Sequence, residues 1–219
     1  MKKILFSLFS GPYKDILAFK GGTLAYLYYG LTRFSTDIDL DLLDSSQEQA
    51  VLEYMDDLLI GWGEVEKRVG KDLHRWRFRY DNDGWIIKVE LNKRKSAYTQ
   101  YEYIIIDETS LQVQTLTSMV TNKLLALGNR WYNRDLYDTH FFLKQGYIFD
   151  EQIIRDREEK SLYDRIKMII EQIPINFQSN TILHQLGEVL DDAQKPRVKT
   201  HLSHETIKLL QIYLDTHSI

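Results

Sequence analysis

The chain has 219 residues, room for one large domain or two small ones, and its 43% hydrophobic and 27% charged residues are ordinary for a globular protein. It has no cysteine, which excludes disulfides, thiolate zinc sites and cysteine nucleophiles. A net charge of −4 removes whole-molecule attraction to nucleic-acid phosphates and leaves only a local basic patch to bind them.

No apolar run is long enough to span a bilayer, and Met1-Lys2-Lys3-Ile4-Leu5-Phe6 shows no signal-peptide pattern, so no membrane association and a cytoplasmic protein are expected. Residues 2–10 read as a short helix or strand. Ile16 to Phe19 is an apolar strand closed by Lys20, and Gly21, Gly22 and Thr23 follow at once. Leu24, Leu27 and Tyr28 then have helical spacing up to Gly30. Glycine lets backbone approach a ligand closely, and the N–H groups at the head of the following helix suit a phosphate. Asp37-Ile38-Asp39-Leu40 alternates with period two, so both carboxylates point to one face of a strand. Two such acids repel unless a cation lies between them. Oxygen-rich sites of this sort suit Mg²⁺ together with substrate phosphates. A phosphate cradle beside paired carboxylates is what metal-dependent nucleotidyl transfer needs.

Alternation continues through Asp41 to Leu43. Ser45 and Ser46 are expected to cap a helix carrying Val51, Tyr54, Met55, Leu58 and Leu59. From residue 64 to 106 the pattern is that of strands. Leu73 to Tyr80 places His74, Trp76, Phe78 and Tyr80 on one face and Arg75, Arg77 and Arg79 on the other. Asp81-Asn82-Asp83-Gly84 signals a hairpin, returning through Trp85, Ile87, Val89 and Leu91, with Lys88, Glu90 and Asn92 on the opposite face. The arginines, with Lys93-Arg94-Lys95, form the most basic region: a solvated strand face, or a track for RNA phosphates. A last strand is expected at Tyr103 to Ile106.

Leu116 to Arg130 is an amphipathic helix striped by Leu116, Met119, Val120, Leu124 and Leu127, and Lys123 falls on its buried side. It either snorkels or reaches an anionic ligand. Arg134-Asp135-Leu136-Tyr137-Asp138 starts another helix with both acids on one face. Residues 147–219 read as helical with breaks at Pro174 and near Pro196, Ser203 capping the last helix, and no chemical motif.

Lys20-Gly21-Gly22-Thr23 and Arg33-Phe34-Ser35-Thr36-Asp37-Ile38-Asp39-Leu40, with Lys123, Arg130 and Arg134-Asp135-Leu136-Tyr137-Asp138 in the correct order downstream, resemble the AbiEii/AbiGii toxin branch of the nucleotidyltransferases. The resemblance spans roughly residues 14 to 145 and implies a bacterial toxin of toxin–antitoxin and phage-defence systems. It implies an α+β fold: a nucleotidyltransferase core with a mixed sheet over residues 1–112, then a helical region over 113–219 that completes the active-site cleft. It also implies an NTP substrate and two Mg²⁺ ions on Asp37, Asp39 and a third acid from another strand, for which Glu90 is the candidate. Asp41 is the rival, but it lies about 7 Å along the strand, away from the glycine turn. Lys20, Gly21, Gly22, Thr23, Arg33, Ser35, Lys123 and Asp135 are then expected around the nucleotide, and Lys123 and Asp138 among the catalytic residues. The implied acceptor is tRNA at its 3′ end, with an antitoxin as a further partner. A transferase acting on protein or a small molecule, and a non-catalytic nucleotide- or partner-binding module, are the alternatives.

Overall fold

The computed structural model describes residues 1–79, 86–94 and 96–217. In chain order the elements are α1 (Lys2–Phe9), β1 (Leu17–Lys20), α2 (Gly21–Tyr28), β2 (Ile38–Leu42), α3 (Glu48–Ile60), β3 (Val65–Val69), β4 (Leu73–Arg79), β5 (Ile86–Asn92), β6 (Tyr101–Ile106), β7 (Thr109–Gln114), α4 (Leu116–Arg130), α5 (Asn133–Lys144), α6 (Glu151–Glu158), α7 (Leu162–Asn176) and α8 (Lys195–Thr216). The fold is α+β. The chain divides into two compact units, one of Met1–Gly30, Ser35–Lys95 and Gln100–Thr115, the other of Leu31–Phe34, Ser96–Thr99 and Leu116–Ile219.

The first unit is built on a seven-stranded sheet in the order β3-β4-β5-β2-β1-β7-β6. It is mixed: β5 runs parallel to β2 and β7 parallel to β1, while the other neighbours are antiparallel. Strand alternation separates two faces. One is apolar, formed by Phe19, Ile38, Leu40, Trp76, Phe78, Ile87, Val89, Leu91, Leu111 and Val113, all buried. Helix α3 closes on it through Asp56, which accepts from Trp76 Nε1 at 2.6 Å, and Glu48, 2.8 Å from His74 Nε2. Burying about ten large apolar side chains, each worth about 1.5–3 kcal/mol, makes this face the stabilising one. The opposite face carries Asp39 and Asp41 of β2, Lys88, Glu90 and Asn92 of β5, and Arg75, Arg77 and Arg79 of β4.

The second unit packs α4 against α5, α6 and α7, and α8 against α5 and α7. Its core holds Leu124, Leu127, Leu136, Phe142, Ile153, Ile166, Ile169, Ile173, Leu202 and Leu210. Arg165 is buried there, donating from Nη2 to Leu125 O at 2.6 Å and pairing from Nη1 with Glu158 at 2.8 Å.

Several local expectations change. The cap before α3 is Asp44, whose carboxylate accepts from Ser46 N at 3.0 Å in a 3-10 turn; Ser45 and Ser46 lie inside that turn. Pro174 lies in the last turn of α7, which runs on to Asn176, so the expected break comes two residues after the proline. Pro196 stands in the first turn of α8, where its missing N–H costs nothing, so Ser203 is mid-helix and donates to Phe177 O at 3.1 Å instead of capping. Strand β7 is additional to the strands expected, joined to β6 by Asp107 and Glu108 with positive φ of 45° and 67°. The expected hairpin turn at 81–84, with Tyr80 and Trp85, lies outside the described residues.

Candidate active site

The glycine turn and the paired acids adjoin. Lys20, at the end of β1, stands opposite Asp39 in the antiparallel register with β2. Gly21 then has φ of +81°, a left-handed conformation, and opens α2. A Cβ at Gly21 would collide with the Asp39 carboxylate, so the backbone passes directly against that acid. No side chain caps this helix. Its head therefore presents the positive end of the helix dipole beside Asp39.

The parallel pairing of β2 with β5 sets Asp39 directly opposite Glu90. Asp37, just before β2, shares the face of Asp39 by period two. Asp41 is used differently. It is 1% exposed. Its carboxylate accepts from Lys20 Nζ at 2.5 Å, Tyr101 Oη at 3.0 Å and Gln114 Nε2 at 3.3 Å. Three donors engage both of its oxygens, and Lys20 is drawn down onto the sheet. Thr23 is also buried, donating to Ser35 Oγ at 3.0 Å and tying the first turn of α2 to the segment leading into β2.

Two cations stand among the acids. Lys88 Nζ lies 3.0 Å from Asp37 Oδ2 and 3.4 Å from Glu90 Oε1, and Arg75 Nε donates to Glu90 Oε1 at 2.8 Å. Burial alone would lower the Lys88 pKa, but the charges of Asp37, Glu90 and Asp39 outweigh it and raise it above its ordinary value. Period two places Lys88 on the face of Glu90, and that signal was available in the sequence; its closeness to Asp37 depends on the β2–β5 register, which was not. Among the described residues, no three His, Cys, Asp or Glu groups are gathered so as to hold a metal ion as they stand. The donor chemistry nevertheless suits Mg²⁺: carboxylate oxygens on one face, with a cation already between two of them.

The remaining sequence candidates cluster in the helical unit. Asp138 is fully buried and grips Arg33 with both oxygens, at 2.6 Å from Nε and 2.7 Å from Nη2. Lys123 Nζ approaches the same carboxylate at 2.7 Å and Asp135 at 3.9 Å. Asp135 in turn receives Arg130 at 2.6 and 2.9 Å. Burial alone would raise the Asp138 carboxyl, but Lys123 and Arg33 together hold it below the usual carboxylate range. Two cations serve one fully buried acid. The same unit carries a half-open pocket of about 370 Å³ beside Tyr137, Phe141 and Leu202. At its wall, Glu205 bonds both His140, at 3.1 Å, and Arg197, at 2.9 Å. Burial lowers the His140 pKa despite the opposing charge and hydrogen bond of Glu205.

Comparison with known proteins agrees with this architecture. The structure of JHP933 from Helicobacter pylori superposes with a TM-score of 0.56 at 19% identity, covering 99% of this chain and 94% of that one. A candidate nucleotidyltransferase from H. pylori does so with a TM-score of 0.58 at 20% identity, covering 97% and 95%. No curated protein matches the sequence. No helix among the described residues is long and apolar enough to cross a membrane. The family model for the nucleotidyl transferase AbiEii toxin, Type IV TA system, matches residues 3–209, and with nearly its whole length matched the chain belongs to that family of nucleotidyltransferases.

Proposed function

We propose that this nucleotidyltransferase moves a nucleotide from an NTP to an RNA acceptor, the 3′ end of tRNA, in a metal-dependent reaction that blocks translation. The observation that supports it most is the Gly21 backbone packed against Asp39, itself in register with Glu90. Asp37, Asp39 and Glu90 would hold Mg²⁺, which when bound supplies neutralisation of the phosphates and a lowered pKa for the attacking hydroxyl. The amides of Gly21 and Gly22 at the head of α2 receive the β- and γ-phosphates, and Thr23, bonded to Ser35, keeps that turn in place. Placing phosphates at a fixed turn beside fixed acids makes catalysis mostly a matter of position and electrostatics. Within the helical unit, Lys123, with Asp138 and Asp135 shaping its surroundings, is the further candidate for binding an anion.

The acceptor path is the arginine row of β4. Arg75 bonds Glu90 at 2.8 Å and Arg77 comes within 3.9 Å of Glu66, yet all three arginines are exposed. Contacts of this kind hold a nucleic-acid backbone without reading its bases. The family is described as that of a Type IV TA system, so an antitoxin counterpart is part of the reading.

The test is incubation of the protein with Mg²⁺, each α-³²P-labelled NTP in turn, and total tRNA, beside Asp39→Ala. Label entering tRNA with wild type alone is the expected result, and the labelled NTP names the base transferred. Label entering protein or a small molecule would replace the RNA acceptor and retain the chemistry. Nucleotide bound without any transfer would overturn the reading in favour of a binding module.

A further inference from the structure

Lys88 stands where two carboxylates of the metal-binding set face one another. Its ammonium is 3.0 Å from Asp37 and 3.4 Å from Glu90, and its side chain is one-third exposed, with an open way out to solvent. Its cross-strand neighbour is Arg77, a like charge on the same face that pushes the ammonium toward the acids. Arg75 is different. Directly opposite Glu90 in the β4–β5 register, it bonds that acid through a planar guanidinium half exposed on its far side. Lysine is a compact point charge on a flexible four-carbon stem, able to enter and leave a site; the arginine fork is built to stay.

We propose that Lys88 is a resident counter-ion of the acid set, occupying the place of a divalent ion in the metal-free protein and leaving as that ion binds. The inference rests on the reading that Asp37, Asp39 and Glu90 hold metal. It accounts for an ammonium lying within reach of both Asp37 and Glu90 on a strand face whose oxygens otherwise suit a divalent ion. Metal uptake is then an exchange: a divalent ion enters, and one positive charge swings out toward solvent. The net gain in charge is one unit instead of two, which weakens metal binding by the free protein.

The experiment is calorimetric titration of Mn²⁺ into the full chain, comparing wild type with Lys88→Met, Lys88→Gln and Lys88→Arg. Removing a competing unit charge at 3–4 Å from a partly exposed site is expected to tighten Mn²⁺ binding by about tenfold in Lys88→Met and Lys88→Gln, with no gain in Lys88→Arg. Melting temperature gives a second readout. Without metal, Lys88→Met and Lys88→Gln should melt below wild type, since the acids lose their counter-ion, and Mn²⁺ should raise them by more than it raises wild type. Equal or weaker Mn²⁺ binding in the neutral variants overturns the exchange while leaving the metal site in place. Absence of Mn²⁺ binding in every variant and in wild type overturns the metal reading and the exchange with it.

Discussion

At Gly21 a left-handed φ and a carboxylate meet at one Cα. Gly21→Ala therefore incurs both backbone strain and a clash with Asp39 that only movement of the acid or the turn relieves. We expect about 1–3 kcal/mol of lost stability. We also expect about a 100-fold drop in nucleotide transfer, because a displacement near 1 Å at reacting groups has that effect. Gly30 supplies the control, having φ of +71° but nothing within 4 Å of a built Cβ. Gly30→Ala should cost about 1–2 kcal/mol for its backbone alone and leave transfer intact, as melting curves and turnover measured side by side would show. Asp138 is the second informative residue. Its folded pKa lies below its unfolded one, so its contribution is fully present above the unfolded value, near 3.9, and is lost as pH falls through the folded value. Asp138→Asn leaves the buried guanidinium of Arg33 without its counter-charge, at a cost of about 3–5 kcal/mol at pH 7. In urea melts the gap between wild type and variant should narrow by about 1.4 kcal/mol per pH unit as the pH is lowered below about 4; a gap that stays constant over that range would show the loss to be one of packing.

Strand β4 sets the prediction for the acceptor. Reversing Arg75 would disturb Glu90, so the clean variant is Arg77→Glu with Arg79→Glu. Each arginine that contacts a phosphate contributes about one to the salt slope of RNA binding, so the double variant should bind tRNA more weakly with the slope reduced by about two. NTP affinity should be unchanged; a loss of nucleotide affinity instead would place these arginines at the triphosphate. What the sequence disclosed also divides by element. Helix α4 was legible to its ends, because Leu116, Met119, Val120, Leu124 and Leu127 repeat with one period and Gly and Pro are absent until Gly128. Strand period two showed that Lys88 and Glu90 share a face. It could not show that β5 lies parallel beside β2, because that pairing joins residues about fifty positions apart, and from it follow both the Asp39–Glu90 register and the Lys88–Asp37 contact. Strand β7 was missed although Leu111 and Val113 alternate with Ser110, Gln112 and Gln114, since short alternation next to a helix is weak evidence for a strand. Arg33 read as a cation near the glycine turn. Its bidentate partner, Asp138, is 105 positions away, and a separation of that length leaves no trace in local pattern.

Across the whole molecule, a formal charge of −4 coexists with a sheet face on which arginines, a lysine and carboxylates alternate. The family assignment and the fold both belong to this scale, covering nearly the full chain. One feature of the layout bears on how such a protein can be divided. The helical unit is not contiguous in sequence: Leu31–Phe34 belong to it by packing, and with them comes Arg33, the partner of Asp138. An expression fragment beginning at Leu116 would carry Asp138 with Lys123 but not Arg33, and one ending at Thr115 would carry Arg33 without Asp138 to receive it. A cut at the apparent boundary therefore separates a buried ion pair and leaves each fragment with a charge that has lost its partner.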